Sequence, residues 1–311
     1  MRHLFTTCLL VLSALLPVSA QERILRYDSL IEIQENADLE ITETITVAAE
    51  GEAIQRGIFR DFPTRYTDKL GNSYRIEFQV HHVERDGEEE AWFTEELANG
   101  IRLNTGNDEL LDVPATYTYT LHYTVTRQIS YFDENDELYY NAIGNGWEFP
   151  IESARIEVRL PHEVSSEEME THAYTGSYGS SGQNYRSQLT DTGAVFRLTE
   201  PLAPREGFTI SLTFPKGVVH EPSEAERAAY LINDNAPLHM AMHGFWMMLL
   251  FCGIRWLMIG RDPKPGTIIT RYDPPSGFSP GELRGLVKMS SDSRGFTADI
   301  LSLAVANTLR I

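Results

Sequence analysis

The side chains able to do chemistry in this chain are scattered. His162-Glu163 opens like a zinc-binding helix, but Ser166 stands where the second histidine would be needed, so that motif fails. No glycine loop ends in Lys-Ser/Thr to cradle a phosphate, and Gly176 to Gly182 lacks the Gly-x-Ser-x-Gly spacing of a nucleophile elbow. His81-His82 falls on a strand pattern, where neighbours face opposite sides and do not chelate one ion. The acidic run Asp133-Glu134-Asn135-Asp136-Glu137 is the one cation candidate, with Asp133, Asn135 and Glu137 as alternating oxygen ligands. Leu138 occupies the place of the turn glycine, so a solvated acidic loop is the favoured reading. These residues assign no catalytic group, cofactor or firm metal site, and the expectation is a non-enzyme. Catalytic carboxylates need meet only in space, so an envelope hydrolase using dispersed acids stays open as an alternative.

The elements that would position any site read as strands. Leu39, Ile41, Ile45 and Val47 share one face, with Thr42, Thr44 and Thr46 on the other. Tyr74, Ile76, Phe78 and Val80 alternate with polar neighbours, as do Tyr117 to Val125, Ala154 to Leu160 and Phe208 to Phe214. Period-two alternation of β-branched and aromatic residues predicts half-buried antiparallel strands, here assembled as an all-β sandwich. Asn99-Gly100 reads as a hairpin turn, Gly71-Asn72 precedes a strand, and Gly176 to Gly182 is a flexible loop. Pro222 to Asn233 reads as a short charged helix.

The ends set the compartment. Arg2-His3, the apolar run Leu4 to Leu16 and the small residues closing at Ala20 read as a signal peptide over 1–20. The β domain then spans 21–217, a juxtamembrane linker 218–237, a transmembrane helix 238–259 and a cytoplasmic tail 260–311. Residues 21–237 contain no cysteine, so burial alone holds them. They carry 17 Lys+Arg against 40 Asp+Glu, which disfavours nucleic acid as a partner of this part. The span includes His239, His243 and Arg255, and Arg255 is near enough to the end to snorkel. Arg261, Lys264 and Arg271 follow it, placing the C-terminal side in the cytoplasm by the positive-inside rule.

Two stretches stand out, Arg56-Gly57-Ile58-Phe59-Arg60-Asp61-Phe62-Pro63 and Asn141 to Ile151 (NAIGNGWEFPI). With Gly260-Arg261-Asp262-Pro263, Tyr272-Asp273-Pro274-Pro275 and Gly277-Phe278-Ser279-Pro280, they resemble the YciQ-like bacterial predicted membrane proteins. These carry an exported N-terminal domain of unknown function, number 2207 in its series. The resemblance implies an envelope protein with an outside β domain and a cytoplasmic continuation, and it transfers no catalytic residue. Such proteins usually continue into further segments, whereas this sequence stops at Ile311, so a truncated form or a second chain is expected. Arg60-Asp61 is a recognition pair or a local ion pair, the latter favoured. Trp147-Glu148 is a ligand-binding pair or an aromatic core plug with Glu148 turned outward, the plug favoured.

In the tail, Ser279-Pro280-Gly281-Glu282 predicts a capping-box helix through about Met289, and Thr297 is expected to cap a second. The pair looks like the opening of a winged-helix module whose wing is missing, suited to docking a cytoplasmic protein. The chain as a whole is expected to be a binding or scaffold protein in the cell membrane, recognising an envelope protein or glycan. A transmembrane sensor is the main alternative.

Overall fold

The computed structural model describes residues 21–67, 71–261, 266–270, 272–273 and 275–310. The expected signal peptide, Asp262, Pro263, Lys264, Arg271, Pro274 and Ile311 lie outside them. The chain divides into two compact units after Gly244.

The first unit is mostly β. Its strands begin with β1 (Arg23–Ile33), β2 (Leu39–Ala49), β3 (Phe59–Pro63), β4 (Arg65–Thr67) and β5 (Ser73–Arg75). Then come β6 (Phe78–Arg85), β7 (Glu88–Glu89), β8 (Trp92–Leu97), β9 (Gly100–Thr105), β10 (Ala115–Val125) and β11 (Ile129–Tyr131). The series closes with β12 (Asn135–Ile143), β13 (Ala154–Arg159), β14 (Glu170–Gly176), β15 (Tyr185–Thr190), β16 (Gly193–Leu198) and β17 (Gly207–Pro215). An eight-stranded sheet runs β15-β16-β13-β1-β2-β10-β6-β7, a four-stranded sheet β11-β12-β17-β14, a three-stranded sheet β3-β9-β8, and β4 pairs with β5.

The alternating residues fill one apolar cluster. Ile41, Ile45, Tyr119, Leu121 and Ile156 come from the large sheet, and Leu138, Phe208, Ile210 and Leu212 from the four-stranded one. Pairing is antiparallel with one correction to the expectation: β1 and β13 run parallel, Tyr27 opposite Ala154 through Glu32 opposite Arg159. Some 120 residues separate these two strands, ample for the long crossover that a parallel pair needs.

Three local expectations shift. The strand expected over Tyr74 to Val80 is broken, because Ile76 donates its N–H to Thr64 O (3.1 Å) and the chain passes from β4 to β10. The hairpin turn is Ala98-Asn99, with Leu97 opposite Gly100. Gly100 is needed for close approach instead, since a Cβ there would stand 2.0 Å from Phe62 O. The acidic run is not a free loop: from Asn135 onward it is β12, and Asp136 faces inward, fully buried, 2.7 Å from Lys216 Nζ.

Helix α1 (Glu224–Asp234) starts at Ser223, whose hydroxyl accepts from Glu226 N while Glu226 reaches back to the Ser223 N–H. α2 (Ala236–Ile259) follows after Asn235 alone, two residues earlier than the expected span. Among the described residues α2 is the helix long and apolar enough to cross a membrane, with mean hydropathy 1.4.

In the second unit, α3 (Pro280–Lys288) has the predicted capping box, Ser279 with Glu282. α4 (Ser293–Val305) starts a turn earlier than expected. Its cap is Asp292, whose carboxylate accepts from Gly295 N (2.9 Å) and from Arg284 of α3 (2.8 and 2.6 Å). Those bonds hold the Asp292 carboxyl down at about 2. Thr297 instead turns its hydroxyl to Ser293 O within the helix.

Candidate functional site

A charged cluster lies inside the first unit. Glu43 falls on the apolar face of β2 between Ile41 and Ile45 and is fully buried. Arg60 of β3, 6% exposed, forks onto it, with Nε and Nη2 each 3.3 Å from a Glu43 oxygen. Tyr123 of β10 donates its hydroxyl to Glu43 Oε1 at 2.8 Å. Burial pulls the Arg60 guanidinium down, but the Glu43 carboxylate and the surrounding phenols of Tyr27, Tyr123 and Tyr140 together outweigh it and keep the charge. Burial, then the same carboxylate, pushes the Tyr123 phenol well up. Arg60 also stacks on the Phe62 ring at 4.8 Å, and Phe62 packs on Phe78 and Tyr123.

Arg60 ties the two motif stretches together. Its Nη2 donates to Ala142 O (3.2 Å), across 82 positions of sequence, and a Cβ on Gly144 would stand 3.1 Å from Nη1. The NAIGNG turn therefore lies close against the arginine, and Gly144 admits that approach.

Beside this cluster opens a cleft of about 1060 Å³. Its walls are the Arg60–Pro63 edge of β3, the β4–β5 hairpin, β11 with the start of the motif turn on β12, and α1. Tyr66 and Tyr74 stack across the hairpin at 5.2 Å, and burial raises the Tyr66 phenol. Tyr139 enters from β12 and Tyr178 from the Gly176–Gly182 loop. α1 supplies Arg227, Tyr230, Leu231 and Asp234. Asp234 accepts from Arg127 Nη1 (2.8 Å) and from the Arg75 N–H (3.3 Å), and Arg127 stacks on Tyr230 at 4.4 Å. Asn235 pairs with the Ser73 backbone both ways, accepting from its N–H (3.2 Å) and donating to its O (3.0 Å).

The sequence-predicted residues distribute as follows. The Arg60 and Asp61 side chains do not pair with each other: Arg60 turns inward to Glu43, touching Asp61 only at its backbone carbonyl, and Asp61 turns outward into a bidentate pair with Arg102 (2.6 and 2.9 Å). Successive strand positions face opposite ways, which corrects both the local-pair and the exposed-pair readings. Both nevertheless border the cleft. Trp147 is 6% exposed and meets Tyr27 edge-on at 6.1 Å, while Glu148 turns out to Arg205 (2.8 Å). Glu137 accepts from Ser211 Oγ (2.5 Å), and Asp133 and Asn135 lie at the turn into β12. Among the described residues no three His, Cys, Asp or Glu side chains are grouped to hold a metal ion.

Two features escaped sequence reasoning. Glu43 interrupts an otherwise apolar inward face, which is a readable signal that a buried partner waits elsewhere. At His81 the register slips, with His122 opposite His82 but Tyr123 opposite Val80. This bulge brings the His81 ring to 5.3 Å from that of His122 and corrects the simple alternation expected there.

Residues 23–214 match the family described as predicted membrane protein (DUF2207) N-terminal domain. The "Uncharacterized protein YciQ" of Escherichia coli (strain K12) is 25% identical over 296 residues, covering 94% of this chain and 46% of that protein. The chain thus spans about half the length of the curated relative it matches. Among solved structures, an M1 zinc metallopeptidase from Deinococcus radiodurans aligns at TM-score 0.35 and 13% identity, covering 61% of this chain and 42% of that one. Native yeast LTA4 hydrolase aligns at TM-score 0.37 and 14% identity, over 61% and 29%. Likeness at that level carries no argument about activity. The match over most of the β unit shows that this chain belongs to the DUF2207 family of predicted membrane proteins.

Proposed function

We propose that the chain is a non-enzymatic envelope binding or scaffold protein whose exported β domain recognises a protein or cell-wall ligand in the cleft beside Arg60. The observation that carries this reading is the convergence of the two motif stretches on one cleft through the Arg60–Ala142 contact. The large and four-stranded sheets, sharing one core, are read as the leaves of a β-sandwich. α2 tethers it, with Ala20 as the signal cleavage end and the tail in the cytoplasm, where α3 and α4 dock a protein partner. Two carboxylates line the cleft, Asp61 and Asp234, and each is engaged by an arginine. That favours binding over hydrolysis, since a general acid and a nucleophile each need a free carboxyl.

A second reading, a transmembrane sensor, is favoured by one observation. The helix that walls the cleft joins the apolar helix through Asn235 alone, so ligand in the cleft bears directly on the membrane entry.

A photocrosslinking residue at Tyr178, in the full chain and in cells, tests the binding reading. One specific envelope partner, lost when Tyr139, exposed in the cleft, is replaced by Ala, is the expected result. A smear of abundant neighbours, unchanged by that substitution, overturns it.

A further inference from the structure

We propose that the ligand of this cleft is an uncharged oligosaccharide, an inference that rests on the binding reading above. The cleft's charges are already cancelled from within the protein. Arg60 is paired with Glu43, Asp61 with Arg102, Arg127 with Asp234, and Arg227 with Glu221. A charged ligand would have to break one of these pairs and leave its partner exposed without compensation. What the walls offer instead are aromatic faces and side-chain amides. Tyr66 and Tyr74 form a stacked platform, with their planes only 15° apart. Tyr139 and Tyr178 are 54% and 96% exposed. The amides of Asn99 and Asn141 line the same space.

This is the surface a pyranose ring recognises. Its apolar C–H face lies on the electron-rich face of a phenol, and its hydroxyls exchange hydrogen bonds with groups that both donate and accept. A volume of about 1060 Å³ exceeds one sugar ring and suits a chain of several. An extended peptide would instead seek a row of free backbone groups. The strand edges that reach this cleft, β3 and β11, are only five and three residues long, and on β3 the Asp61 and Pro63 carbonyls already accept from Arg60 Nη1 and the Tyr66 hydroxyl.

The test uses the full chain in detergent or nanodiscs, with calorimetry and saturation-transfer NMR. The probes are neutral hexose and N-acetylhexosamine oligomers, with lysine, glutamate and uncharged peptides of similar size beside them. The expected result is saccharide binding that salt leaves unchanged, weakened about 10-fold by Tyr139→Ala and by Tyr74→Ala with melting temperature preserved. Tyr139 is half exposed, so its loss does not confound folding. Failure of every saccharide, binding indifferent to both substitutions, or binding abolished by salt overturns the proposal. A peptide that binds in a tyrosine-dependent way while no saccharide does overturns the glycan inference alone and leaves the binding reading standing. Silence of all probes together with nonspecific crosslinking removes both.

Discussion

At the residue scale, Glu43 and Arg60 form the least replaceable pair in the β unit. Both are buried, so removing one leaves an uncompensated charge, which typically costs about 3–5 kcal/mol. Arg60→Ala is therefore expected to lower the melting temperature sharply in circular dichroism. Arg60→Lys recovers little, because one ammonium does not reproduce the fork onto Glu43 and the bond to Ala142 O. Joint replacement with apolar residues of similar volume is expected to restore most of the loss. The buried phenols make a second statement. Burial raises Tyr119 to about 12 and holds Tyr123 well above its ordinary value near 10. In the unfolded chain these phenols ionise near 10, so the neutral form favours the fold below that pH. This stability is lost as pH rises from 10 through 12. A spectrophotometric titration is expected to show the buried tyrosines ionising only together with unfolding. Smooth independent ionisation of all of them contradicts this burial.

At the element scale, the joint between α1 and α2 is a single residue. The Asn235 amide behaves like one rung of a β-ladder against Ser73, and Asp234 adds Arg127 and the Arg75 N–H. Asn235→Ala removes three hydrogen bonds, two with the Ser73 backbone and one to Leu231 O, worth about 1 kcal/mol each. It is expected to raise amide exchange over residues 224–234 and at the β4–β5 hairpin, while the β1–β2–β10 core keeps its protection. If exchange in α1 does not change, the helix is held by its Tyr230 and Leu231 packing instead, and the sensor reading loses its coupling element. Close approach is equally specific: a Cβ on Gly106, at φ +94°, would lie 2.0 Å from Arg56 O, so the β3–β9 corner admits glycine only.

At the scale of the whole molecule, the apolar helix follows the acidic β strands in chain order and precedes two short helices, and orientation is the question with the cleanest measurement. Residues 21–311 hold one cysteine, Cys252, within α2. Single cysteines placed at Tyr178 and at Ser291 are therefore readable with a membrane-impermeant maleimide. Tyr178→Cys is expected to label in intact cells and Ser291→Cys only after permeabilisation; the reverse pattern inverts the proposed topology. The sequence by itself determined the strand faces of β2, β10, β13 and β17, the apolar helix, the presence of α1 and the capped start of α3. These signals are local: an alternation of period two, a long and predominantly apolar run, and a capping box closing over three residues. The family resemblance was legible for the same reason, in short motifs. Only the tertiary structure decided which strand pairs with which. Alternation states which face Glu43 occupies but not that Arg60 waits opposite, and it does not register the bulge at His81 or the parallel seating of β13 on β1. The cleft belongs to that second class. Its walls come from seven segments spread over 175 positions, from Arg60 to Asp234, and nothing but the packing of the sheets brings them together.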